Sequence, residues 1–181
     1  MRTPAHPVRD LHFRIEGPVI AQMQRVFAED WSFCHGESLS ETLWFPKIPE
    51  AGSAHALGII DGPDEDFEAM PVALFAALNA ARHSICILTP YFLPPATLLA
   101  SLNLCAVRGV KVTIVTPAKN NIPMVAWAAR TLYPELLEAG CRIYESPAPF
   151  DHSKILLIDD AWSCEHQIIP RSLRPEMAAA S

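Results

Sequence analysis

Between residues 84 and 158 the chain alternates short apolar runs with longer stretches of helical periodicity. Ser84–Thr89, Val110–Thr116, Cys141–Tyr144 and Ile155–Ile158 are apolar runs of the length expected for buried strands. Between them, helices are predicted over about 96–107 and 122–139. Each is followed by a glycine stop, at Gly109 and Gly140. Upstream, a helix is predicted over about 67–82, with Phe67, Val72, Phe75 and Leu78 on its core face. It follows a short strand at 56–60 and a turn at Asp61-Gly62-Pro63, with Asp64 or Asp66 as its cap. A further helix is predicted from Gly17-Pro18, with proline in its first turn. Val19, Met23, Val26, Phe27 and Trp31 recur at three- and four-residue spacing, a stripe expected to pack into a core. Asp10–Ile15 alternates like a short strand, and residues 32–56, broken by Gly36, Pro46, Pro49 and Gly52, read as a connection. The alternation predicts an α/β sandwich built on a largely parallel, mixed sheet.

The last strand opens on polar residues that carry chemistry. Asp151-His152-Ser153-Lys154 precedes Ile155-Leu156-Leu157-Ile158, and Asp159 follows. On a strand, residues two apart share a face, so His152 and Lys154 are expected to point the same way. Asp159, an odd step from Lys154, should face away or lie beyond the strand end, in a supporting role. An imidazole can attack phosphorus and carry the phosphoryl group, and a neighbouring ammonium can neutralise the developing charge. With side chains supplying the cations, no metal or other cofactor is expected. An isolated His-x-Lys more often caps a strand end and does nothing more. Tyr91 and Lys119 follow strands and are candidates for the border of the cleft. His35 and His55 fall in the connection and receive no role.

Composition narrows the classes. The formal net charge is −6 over 181 residues, with no basic run, which disfavours nucleic acid as a partner. Half of the residues are hydrophobic, enough for a sizeable core. The five cysteines, Cys34, Cys86, Cys105, Cys141 and Cys164, form no Cys-x-x-Cys pair; Cys86 and Cys141 read as small core residues. Neither a signal peptide nor a membrane-spanning run is expected, so any membrane contact should be peripheral.

The ordered motifs resemble a known family. His152-x-Lys154-x-x-x-x-Asp159 is similar to the signature of the phospholipase D superfamily. The stretches Val8–Phe13, Ile15–Val19, Phe27–Trp31, Asp61–Asp66, Thr89–Pro94, Val115–Lys119 and Tyr133–Leu137 resemble its bacterial cardiolipin synthase branch, in the family's order. The resemblance implies a phospholipase D-like half-domain over 59–160. It also implies a remnant of the end of a first half, plus linker, over 1–58, and a divergent, frayed tail over 161–181. Family members pair two such motifs at one active site; this sequence holds one. The family's Gly-Ser-x-Asn element is absent after Asp159, as expected of a truncated or frame-shifted member.

By resemblance the chain would transfer a phosphatidyl group between two phosphatidylglycerol molecules, giving cardiolipin and glycerol through a phosphohistidine. His152 would be nucleophile or general acid, Lys154 would hold phosphate and Asp159 would support the site. One motif per chain implies a homodimer for a complete site, at the inner face of the bacterial plasma membrane or in the cytoplasm. The alternatives are an inactive remnant that binds lipid or a partner, and a homodimeric single-motif phosphodiesterase or nuclease.

Overall fold

A computed structural model describes residues 7–40, 42–59 and 69–164. The chain divides into two compact units: residues 12–72, and residues 1–11 together with 73–181.

The larger unit is built on a five-stranded sheet in the order β4-β3-β2-β6-β7. Strands β2 (Ser84–Leu88), β3 (Lys111–Pro117) and β4 (Arg142–Ser146) run parallel, joined by helices α3 (Ala96–Val107) and α4 (Pro123–Glu138). Parallel neighbours need such crossovers, and the two 3.6-period stretches supply them. Strands β6 (Ile155–Ile158) and β7 (Trp162–Cys164) complete the sheet antiparallel, with β6 against β2. The expected α/β architecture with a mixed sheet is therefore present.

The core lies between sheet and helices. Ile85, Ile87, Val112 and Ile114 alternate inward along β2 and β3, and Leu102 and Leu136 meet them from α3 and α4 fully buried. Cys141 is buried just before β4, and Cys86 is partly buried in β2.

The N-terminal segment departs from expectation. Residues 10–15 are not a strand; strand β1 is Val8–Arg9, and it pairs in parallel with β5 (Phe150–Asp151). Local alternation located a strand near here, but pairing with a partner some 140 residues away set its position. Helix α2 spans Ala69–Ala80. Leu78 is buried as expected, but Val72 and Phe75 are half exposed and Leu74 takes the inner position. The segment is apolar almost all round, so periodicity could not choose its face.

In the smaller unit, α1 (Val19–His35) starts where predicted and ends at Gly36, whose φ of 69° is the left-handed stop. It holds no buried residue, so the expected core stripe is corrected. Its aromatics instead stack along the helix: Trp31 lies 6.0 Å from Phe27 and 3.9 Å from His35, ring to ring. Four residues apart on a helix is the spacing that brings such rings together. Residues 56–59 are not a strand; the Gly58 amide donates to Gln22 Oε1 at 2.7 Å. The expected turn at 61–63, the caps Asp64 and Asp66, Phe67, and the tail from 165 onward lie outside the described residues.

Candidate functional site

The site forms at the C-terminal end of β2, where the chain returns through β5 into β6. β1 pins β5 from outside: the His152 amide donates to Arg9 O at 2.8 Å, and Arg9 lies 4.0 Å from the buried carboxylate of Asp151. Asp151 Oδ1 also accepts the Ser153 amide at 3.0 Å, closing a tight turn under the imidazole. Such side-chain-to-backbone turns are what Asp does best outside regular structure.

That turn presents His152 and Lys154 on one side. Residues 152–154 belong to neither flanking strand, yet the expected pairing forms. Lys154 Nζ sits 3.1 Å from His152 Nδ1, 3.2 Å from Nε2, and donates to His152 O at 2.7 Å. An aromatic wall backs the imidazole. Tyr91 meets it edge-on at 5.9 Å between centroids, and Phe150 lies 6.1 Å away. Tyr91 is buried, and its hydroxyl donates to Asn121 Oδ1 at 2.9 Å; burial pushes its phenol up, partly countered by that bond. Asn120 fixes the same loop by donating to Pro90 O and accepting the Ile122 amide. Of the two border candidates, Tyr91 is thus part of the wall. Lys119 lines a neighbouring pocket of about 360 Å³ that shares Phe150 with that wall.

One site residue is not legible in the sequence motif. Asp10 Oδ2 lies 3.4 Å from His152 Nδ1. Burial raises the Asp10 carboxyl, but hydrogen bonds from His152 and the Leu11 amide outweigh it. The charges of His152 and Lys154 add to them and hold the carboxyl below its ordinary 3.8. In the tautomer that donates Nδ1–H to Asp10, the lone pair of His152 is on Nε2, 3.2 Å from Lys154 Nζ. A carboxylate oriented on one imidazole nitrogen fixes the ring and its tautomer. Only the neighbouring Arg9-Asp10-Leu11-His12 stretch, already part of the family resemblance, hinted at it.

Asp159 lies elsewhere. It follows the end of β6, roughly 16 Å along the strand from Lys154, with φ at 53°. Its carboxylate accepts three backbone amides, from Arg82, His83 and Ser84, at 2.7 to 2.8 Å. The Ser84 and Arg82 amides do most to hold the carboxyl below 3.8; burial opposes them and His83 adds to them. Asp159 therefore staples β6 to the turn before β2, and does not touch His152.

Among the described residues no group of His, Cys, Asp and Glu is arranged to hold a metal, and no helix is long and apolar enough to cross a membrane.

Comparison with known proteins follows the same residues. The family described as "Cardiolipin synthase, PLD-like domain" matches residues 74–164, half of the chain. A cardiolipin synthase of Geobacillus thermodenitrificans is 37% identical over 153 residues, covering 83% of this chain and 30% of that protein. Cardiolipin synthase 2 of Bacillus cereus is 35% identical over a stretch of the same length. The chain thus spans about a third of the length of the curated relatives it matches. The crystal structure of Nuc, a phospholipase D family member from Salmonella typhimurium, aligns with a TM-score of 0.43 at 24% identity, over 51% of this chain and 59% of that one.

Proposed function

Because the chain belongs to the phospholipase D-like domain family of cardiolipin synthase, we propose that it is a phosphatidyltransferase module. Its His152 attacks the phosphodiester of phosphatidylglycerol. The observation that carries this reading is the triple contact of His152 with Lys154 and Asp10. Nε2 forms the bond to phosphorus, the bond from phosphorus to the glycerol oxygen breaks, and glycerol leaves with a proton. Lys154, 3.2 Å from Nε2, is within reach of the oxygens that gain charge in that step. Asp10 holds the ring while the imidazole carries the phosphatidyl group. A hydroxyl of a second phosphatidylglycerol then attacks phosphorus, its proton passing to the group that protonated the glycerol, and the bond from phosphorus to Nε2 breaks as cardiolipin departs.

The leaving glycerol needs a proton donor, and the sequence contains one His-x-Lys. A second copy of this chain, meeting the first across a two-fold axis, would supply it as the partner's His152. The module would then act peripherally at the inner face of the bacterial plasma membrane. The single motif and the lack of Gly-Ser-x-Asn after Asp159 favour one other reading, a lipid-binding module without turnover.

The test is conversion of phosphatidylglycerol by the purified chain at several concentrations, beside His152→Ala. Cardiolipin from the wild type, none from the variant, and a rate rising faster than linearly with concentration are the expected results. No product from folded protein at any concentration would leave the lipid-binding reading standing.

A further inference from the structure

We propose that the pocket beside Lys119 is a second subsite, for the phosphate-bearing end of an amphiphile, one aromatic ring away from His152. It rests on the reading of His152 as a phosphodiester site. Four prolines, Pro7, Pro117, Pro147 and Pro149, make half of its lining, and Phe150 closes the side toward the imidazole. Lys119 and Ser146 are its polar members.

Each part of the lining favours the same ligand chemistry. Proline rings present apolar surface and no amide hydrogen, so the walls suit hydrocarbon and offer a sugar or a base little to hydrogen-bond. They are also rigid, which lowers the ordering cost of binding. The floor is tied: the Ala118 amide donates to Ser146 O at 2.9 Å, joining the ends of β3 and β4. The Ser146 hydroxyl is buried and has no hydrogen-bond partner among the described residues. With no exposed surface it is out of a ligand's reach, which leaves Lys119 as the polar group that a ligand meets. Lys119 is exposed at the rim, a cation on a chain of net charge −6. A cation at the mouth of an apolar trough matches a phosphate joined to a short run of hydrocarbon. The volume of about 360 Å³ falls at the lower end of the range for small-molecule sites. Transfer between two lipids also requires the second lipid to be held near the first.

The experiment is calorimetric titration of the full chain carrying Lys154→Gln, which weakens binding at the His152 site. The probes are dihexanoyl-phosphatidylglycerol below its micelle concentration, and inorganic phosphate. Two further variants are made on that background: Lys119→Gln, at an exposed position, and Ala148→Trp, which fills the trough from an exposed turn. The expected result is lipid binding that is weakened roughly tenfold by Lys119→Gln and lost with Ala148→Trp, with free phosphate at least tenfold weaker than lipid. Lipid binding unchanged in both variants, or present only when Lys154 is intact, overturns the subsite. Phosphate binding as tightly as lipid overturns the amphiphile. Circular dichroism shows whether each variant is folded. Turnover is not read, so a chain that binds lipid here but makes no cardiolipin fails the proposed reaction and not this site.

Discussion

Replacing Asp10 by Ala should loosen the N-terminal strand from the site without touching the sheet. The carboxylate and the His152 side chain are 38% and 39% exposed and sit 3.4 Å apart. Solvent screens such a pair, so its contribution is of order 1 kcal/mol, with Lys154 nearby included. That corresponds to about a fivefold change in the opening equilibrium of β1. The readout is specific: the His152 amide is hydrogen-bonded to Arg9 O and exchanges only when β1 lifts away. Hydrogen exchange at pH 6 should show its protection falling about fivefold in Asp10→Ala, with the amides of Ile114 and Leu156 unchanged. The pH dependence has a definite sign. The folded carboxyl lies below 3.8, so its contribution is complete above that value and is lost as pH falls through the lower, folded one. Wild-type protection should therefore converge on that of Asp10→Ala in acid. Equal His152 protection in the two proteins at pH 6, or an equal loss at Ile114, would refute the role given to Asp10.

Two further outcomes follow from the same structure. Leu102→Ala removes a side chain with no exposed surface from the contact between α3 and the sheet. It should cost about 3 kcal/mol in urea unfolding, and a loss below about 1 kcal/mol would mean the core is looser than drawn. Asp159→Asn should lower thermal stability at pH 6 and leave lipid binding at the His152 site intact. The deficit should close as pH falls below 3.8, because the wild-type advantage vanishes when Asp159 is protonated; a deficit that persists in acid would contradict the staple.

The sheet and its helices were legible because each carries local signals. Helix α3 begins after Pro95 and ends before Gly109, at its predicted limits. Strands β2 to β4 fall within two residues of their apolar runs. What could not be read was whatever depends on distant pairing. Asp10 reaches His152 across 142 positions, and no window of sequence contains both. The half-exposed stripe of α1 departed from expectation for a related reason: periodicity reports that a helix has an apolar side, not what covers it. The His152–Lys154 contact was readable because the two residues are neighbours. Asp159 was correctly placed past the strand end, but only coordinates supply the three amides it holds.

The pairing of β1 with β5 also dictates when the site comes into being. A ribosome synthesises Asp10 142 residues before His152, so the carboxylate waits that long for its imidazole. Contacts between such remote segments form slowly, since a long loop must close first. During that interval the half-made protein has a sheet in progress but no assembled imidazole. The same geometry allows this strand to be supplied from outside: a free peptide ending after Leu11 carries both Arg9 and Asp10, and is a natural complement for a chain that has lost them.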